Sequence, residues 1–267
     1  MRSPLLTIVF ALGAVTATAQ SPTIIPAPAD LQAPPNDAVK SSTGLISKIV
    51  RSGSSQLKPT ATDVVAVDYT GWRNDGLMFD SSVARGKPSM FPLDRVMAGW
   101  KECVLQMTIG EIRRCWVPQE LAYKGQAGRP TGTVVFDIEL LDTWPNPLVA
   151  PPDVKAPPAD AQKTPSGLAY KELRPGSGTR RASPFSQVTV HYTGWTTDGR
   201  MFDSSIARGQ PMTRRLDEVI RGWTEAVGLM GEGQRMRFWI PENLAYGGQG
   251  DGPRGMLVFD IELVKIN

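Results

Sequence analysis

Tyr69-Thr70-Gly71-Trp72 and Met78-Phe79-Asp80-Ser81-Ser82 decide the fold, because both occur twice. They return 123 residues further on as Tyr192-Thr193-Gly194-Trp195 and Met201-Phe202-Asp203-Ser204-Ser205. At the same offset Gly99-Trp100 returns as Gly222-Trp223, Leu121-Ala122-Tyr123 as Leu244-Ala245-Tyr246, and the run Val135 to Leu140 as Val258 to Leu263. No gap is needed between Gly44/Gly167 and Leu140/Leu263. Solenoid units are about 20–50 residues long, so this repeat is a whole domain, duplicated. The copies share aromatic residues, glycines and one acid.

The 267 residues accommodate two such domains of about 100 residues with connecting segments. A hydrophobic share of 41% and a charged share of 21% describe a soluble globular chain. The net charge of +3 comes from scattered basic residues, which argues against nucleic acid or an anionic membrane surface as partner. Arg2, the apolar run Leu5 to Val15 and Ala17-Thr18-Ala19 read as a signal peptide cleaved after Ala19. The protein is therefore expected in the periplasm or outside the cell. The apolar run falls short of the roughly 20 residues a spanning helix needs, so no membrane span is expected after cleavage.

Residues 1–19 are then the signal, 20–40 a Pro/Ala-rich leader, 41–143 and 162–267 the two domains, and 144–161 a Pro-rich linker. The leader reads as extended and disordered. The linker reads as a semi-rigid spacer that keeps the copies apart, and the chain is expected to be a monomer. Cys103 and Cys115 have Ala226 and Phe238 as counterparts. Export permits a disulfide between them; the other reading is two buried thiols packing as small apolar groups. They and the single histidine cannot form a zinc site. His191 reads as a strand residue facing solvent.

Inside each copy Val65 to Tyr69, Arg113 to Val117 and Val135 to Leu140 read as strands, as do Val188 to Tyr192 and Arg235 to Ile240. Phe136, Ile138 and Leu140 face one side, Asp137 and Glu139 the other. Val96, Met97, Trp100, Val104 and Met107 lie at helical spacing, matched by Val219, Ile220, Trp223, Val227 and Met230. One short helix against antiparallel strands means an α+β fold.

In combination, the string V-x-Y-T-G-W, M-F-D-S-S, R-G-x-P, V-[MI]-x-G-W, P-x-x-L-A-Y and V-F-D-I-E-L resembles the FKBP-type peptidyl-prolyl isomerases, over nearly all of each copy. The resemblance implies a half-wrapped antiparallel sheet around one short helix, with an aromatic pocket between them. Carried over residue by residue, the first pocket is Tyr69, Phe79, Asp80, Val96, Met97, Trp100, Tyr123 and Phe136, extended by Phe91. The second is Tyr192, Phe202, Asp203, Val219, Ile220, Trp223, Tyr246 and Phe259, with Arg214 in the place of Phe91. Trp100 and Trp223 would form the floors. Both copies depart from the family in the segment Lys124 to Gly132 and its partner Gly247 to Gly255. It is shorter than usual, lacks an I-P-P, and bears on affinity and sequence preference.

Rotation about an X–Pro bond faces a barrier of about 18–20 kcal/mol, while the end states differ by only about 0.5–1 kcal/mol. Such a catalyst has to bind the twisted amide better than either planar form; neither a cofactor nor a metal is called for. An apolar pocket strips water from the carbonyl. Tyr123 or Tyr246, with the backbone N–H of Met97 or Ile220, would hold the substrate. Asp80 and Asp203 would organise the pocket, with Arg85 and Arg208 and with Tyr69 and Tyr192. The expected partners are proline-containing segments of client proteins. Apart from catalysis, a non-catalytic module or chaperone that binds proline segments would use the same groove. Arg214 and Arg215 are expected to suit an acidic substrate neighbour in the second copy.

Overall fold

The computed structural model describes residues 23–248, 250 and 252–267; the expected signal peptide and its cleavage site at Ala19 lie outside the described residues. In the first domain the chain runs β1 (Val39–Lys40), β2 (Ile46–Arg51), β3 (Val64–Arg73), β4 (Met78–Ser81), α1 (Ser82–Arg85), β5 (Ser89–Pro92), α2 (Ala98–Leu105), β6 (Ile112–Val117) and β7 (Val134–Trp144). The second repeats it as β8 (Gln162–Lys163), β9 (Ala169–Arg174), β10 (Gln187–Thr196), β11 (Met201–Ser204), α3 (Ser205–Arg208), β12 (Met212–Arg215), α4 (Arg221–Gly228), β13 (Arg235–Ile240) and β14 (Leu257–Ile266). Each sheet is antiparallel. The first has strand order β1-β2-β6-β7-β3-β4 with β5 also on β3, and the second has the same order from the equivalent strands. The α+β expectation is met.

The long central strands carry both layers of packing. Val65, Val67 and Tyr69 of β3 and Phe136, Ile138 and Leu140 of β7 turn one face toward α2, where Trp100, Cys103 and Val104 meet them. Trp72, Trp116 and Val135 leave the opposite face. A helix shorter than the sequence spacing suggests closes the first core. Met97, with φ −58° and ψ 148°, is the residue before its first turn, and Met107 lies beyond its end. Cys103 of α2 and Cys115 of β6 form a disulfide with Cα atoms 6.4 Å apart, inside the usual range. A second small helix in each domain was not expected. The Ser81 side chain accepts from the Ala84 N–H, and Gly86 closes α1 at φ 70°; Ser204 and Gly209 do the same for α3.

The Pro-rich segments depart from the expected disordered leader and semi-rigid spacer. Each is packed as an outer layer on the domain that follows it. Trp72 Nε1 donates to the Ile25 carbonyl at 3.0 Å and Trp116 Nε1 to that of Leu31 at 3.0 Å. Trp195 and Trp239 donate in the same way to Pro147 and Asp153, at 3.0 and 2.9 Å. A buried indole N–H needs an acceptor, and an extended proline-rich chain has free carbonyls to offer. Arg114 holds Asp30 and Arg237 holds Asp153. Leu31 and Val154 are buried against the tryptophans. The signal was in the sequence: Asp30, Pro34, Pro35 and Asp37 recur as Asp153, Pro157, Pro158 and Asp160, again 123 residues apart.

The two domains also touch, against the expectation of separate lobes. Trp144, expected in the linker, is the last residue of β7. With Val64 and Met90 it closes over Ile206 of α3. Its Nε1 donates to Glu262 Oε2 at 2.7 Å. Arg174 pairs with Asp142 at 2.7 Å and with Glu262 at 2.6 Å, and Arg235 donates to the Thr143 carbonyl at 3.0 Å. His191 is buried, not solvent-facing, because the first domain covers that face. Its ring lies 4.8 Å from that of Trp144.

Candidate functional site

Each site is built where β3 or β10, with the strands beside it, meets the helix approach. Gly71 is required there. A Cβ on it would lie 2.7 Å from the Phe136 ring and 2.8 Å from that of Phe79, and Gly194 stands in the same relation to Phe259 and Phe202. Absence of a side chain lets these rings close over the strand. Phe79 meets Phe136 edge-on at 5.6 Å and Tyr123 at 6.2 Å. Phe91 stands edge-on to both Tyr69 (5.8 Å) and Trp100 (5.6 Å). Val96 and Met97 pack against the same cluster. The first expected set is therefore brought together, Phe91 included.

In the second domain Tyr192, Phe202, Asp203, Val219 and Ile220 line an open cleft of about 220 Å3, together with Trp223, Tyr246 and Phe259. Trp223 lies edge-on to Tyr192 at 5.0 Å and to Phe259 at 5.4 Å. Arg214 is not among the lining residues and is exposed; this corrects its expected place in the wall. It occupies the strand position of Phe91, but a guanidinium loses hydration against an indole, so the long side chain turns to water. Met212 and Glu218 line the cleft instead. Glu218 was missed because neither periodicity nor the shared motif marks it.

The acid is held identically in both copies. Tyr69 donates its O–H to Asp80 Oδ2 at 2.5 Å, and Arg85 pairs with Asp80 Oδ1 at 2.5 Å while donating to the Tyr69 oxygen at 3.1 Å. Tyr192, Asp203 and Arg208 repeat the arrangement, with Arg208 at 2.8 Å from the Tyr192 oxygen. Burial pushes the Tyr69 and Tyr192 phenols up to about 12, and the carboxylate beside each adds to it. Burial also works to raise the pKa of Asp80, but the hydrogen bonds from Tyr69 and Arg85 outweigh it and hold the carboxyl below its ordinary range. Asp80 is thus a fixed anion, not a proton carrier.

Tyr123 and Tyr246 are half-exposed at the cleft mouth, and burial pushes both phenols upward, so each presents an O–H donor at neutral pH. Met97 and Ile220 precede the first helical turn, where a backbone N–H has no intrahelical acceptor. The indole N–H groups of Trp72, Trp116, Trp144, Trp195 and Trp239 all reach acceptors. Those of Trp100 and Trp223 make no hydrogen bond among the described residues, consistent with rings that serve as apolar surface. Among the described residues no His, Cys, Asp and Glu come together in a group able to hold a metal ion, and no helix is long and apolar enough to cross a membrane.

A family model described as FKBP-type peptidyl-prolyl cis-trans isomerase matches residues 55–141 and again 178–264. The macrophage infectivity potentiator of Trypanosoma cruzi is 50% identical over 116 residues, 42% of this chain and 59% of that protein. The FKBP-type peptidyl-prolyl cis-trans isomerase FkpA of Escherichia coli K12 is 42% identical over 128 residues, 46% of this chain and 47% of that protein. The chain thus spans about half the length of these relatives. The crystal structure of FkpA from Escherichia coli aligns with a TM-score of 0.40 at 40% identity, covering 42% of this chain and 54% of that one.

Proposed function

The chain belongs to the family of FKBP-type peptidyl-prolyl cis-trans isomerases, and on that premise we propose that it is an exported prolyl isomerase that turns X–Pro bonds of client proteins in both clefts. One observation carries the reading: the Tyr–Asp–Arg unit and the edge-on pair of phenylalanine rings occur with the same geometry in both domains. The proline ring lies on Trp100 or Trp223, between the rings of Phe79 and Phe136 or of Phe202 and Phe259. The apolar walls exclude water from the carbonyl, whose charge-separated resonance form water stabilises. Loss of that stabilisation lowers the cost of twisting the C–N bond. Tyr123 or Tyr246 donates to the substrate carbonyl, and the N–H of Met97 or Ile220 fixes the neighbouring one. No proton changes hands. Export is supported by the residue pattern before Ala19 and by the disulfide, which persists in oxidising compartments.

Protease-coupled isomerisation by the full chain, and by Trp100→Leu, Trp223→Leu and the double variant, tests this. Leu is helix-favouring and apolar, and no indole hydrogen bond is lost. Each single variant is expected to keep the other cleft's turnover, and the double variant to fall to near the thermal rate. A wild-type chain that binds proline peptides without accelerating them would make it a binding module. One single variant that abolishes all turnover would assign catalysis to that domain alone.

A further inference from the structure

The two sites share most of their aromatic rings but not the charges beside them. At the tyrosine end of the first, the guanidinium of Arg129 lies 5.6 Å from the centre of the Tyr123 ring. Its counterpart is Gly252, whose missing side chain leaves room for Tyr246: a Cβ there would come within 2.5 Å of that ring. Lys124, beside Tyr123, likewise has Gly247 as its counterpart. At the helix-approach end of the second cleft, Glu218 is itself a lining residue. The same position in the first domain is Arg95.

We propose that the two domains sort proline sites by charge: the first favours an acidic residue beside the proline through Arg129, and the second a basic one through Glu218. The inference rests on the isomerase reading and names the substrate class of each cleft. It replaces the expectation built on Arg214 and Arg215. Arg214 is exposed and outside the lining, and Arg215 is paired with Asp217 at 2.6 Å. Among the described residues, the other charges beside the clefts are paired or stand outside the lining of the second cleft. Arg85 and Arg208 are neutralised by Asp80 and Asp203 in both copies. Arg200 and Arg254 are not among the residues lining the second cleft; they line a neighbouring depression together with Asp198, Phe202 and Gly252. Arg95 borders the space between the domains, next to Asp94.

Both groups sit at the solvent edge, so each is expected to shift selectivity by about 2–4-fold, the range of exposed ion pairs. The measurement is kcat/KM of the full chain on matched peptides with Glu or Lys beside the proline. Arg129→Gln is introduced with the second cleft silenced by Trp223→Leu, and Glu218→Gln with the first silenced by Trp100→Leu. Arg129→Gln should lower the Glu-to-Lys ratio about 2–4-fold and Glu218→Gln should raise it equally, with both shifts collapsing in 1 M salt, where the Debye length is about 3 Å. A merely structural role would slow both peptides alike and leave the ratio in place. Unchanged ratios, or shifts of the same sign, overturn the proposal. If the wild-type chain turns over no peptide, the isomerase reading fails separately. The ratio is then read as Kd for fluorescently labelled peptides: opposite shifts still support charge sorting, and equal affinities overturn it.

Discussion

Asp80 shows how much of the site depends on one side chain. It takes the O–H of Tyr69 and the guanidinium of Arg85 at once, and so fixes the ring that stands beside Phe91. Asp80→Val removes both acceptors while leaving the apolar surface intact. Hydrogen bonds to charged groups contribute about 1.5–3 kcal/mol, so the rate through that cleft should fall about 10–100-fold, with peptide Kd changing much less. Equal losses in rate and binding would mean that Asp80 shapes the ground state only. The pH response has a definite sign. The folded-state pKa of Asp80 is depressed, so its contribution to stability is complete above the ordinary carboxylate pKa of about 3.9. It is lost as pH falls through the lower folded value. With Tyr69 at about 12, neither group titrates between, so turnover should be flat across neutral pH.

At the scale of elements, the first domain ties its floor helix down covalently and the second does not. The disulfide joins α2, which carries Trp100, to β6 across a separation of 12 residues; the second domain packs Ala226 against Phe238 in the same core. Closing a loop of that size stabilises by roughly 3 kcal/mol in the chain-entropy account. Urea unfolding with and without reductant should therefore show the first domain weakened by about 2–4 kcal/mol and the second unaffected. The double variant Cys103→Ala/Cys115→Phe, which copies the second domain's solution, should be insensitive to reductant. A reductant effect that persists in it would place the sensitivity elsewhere.

For the whole molecule, the contact between domains is the feature with the clearest solution test. His191 is the only histidine, so its ring protons give one titrating NMR signal. Burial depresses its pKa, with Glu262 and Asp142 opposing and Arg235 reinforcing. A depressed folded pKa means that this contribution to the interface is present above about pH 6.5 and lost as pH falls through the folded value. The signal should titrate below pH 6.5 in the wild type and move back toward it in Trp144→Ala, which uncovers the ring. Titration at the unperturbed value in the intact chain would mean that the domains do not dock. The interface also carries Met90, next to Phe91 of the first site, onto Ile206 and Gly209 beside Arg208 of the second.

The sequence by itself determined the duplication, the α+β class, the central strands and almost every ring in the two clefts. Those features are written in local period and in exact recurrence, and a residue whose role is identical in both copies is visible as a repeat. Three things were decided only by tertiary structure. Arg214 was read into a wall because it shares the position of Phe91, yet position along a strand does not fix where a long charged side chain comes to rest. The leader reads as disordered and the linker as a semi-rigid spacer because neither has hydrophobic periodicity; their recurrence at the same offset shows that they are alike but not what they pack against. What orders them is a pair of tryptophans on the outer sheet face, Trp72 with Trp116 and Trp195 with Trp239, whose N–H groups need carbonyls from outside the sheet. His191 was read as solvent-facing because alternation separates the two faces of a strand but does not say what covers each one. Domain docking answers that, through Trp144, Asp142 and their ion pairs, and these contacts join residues with no counterpart pairing inside either repeat.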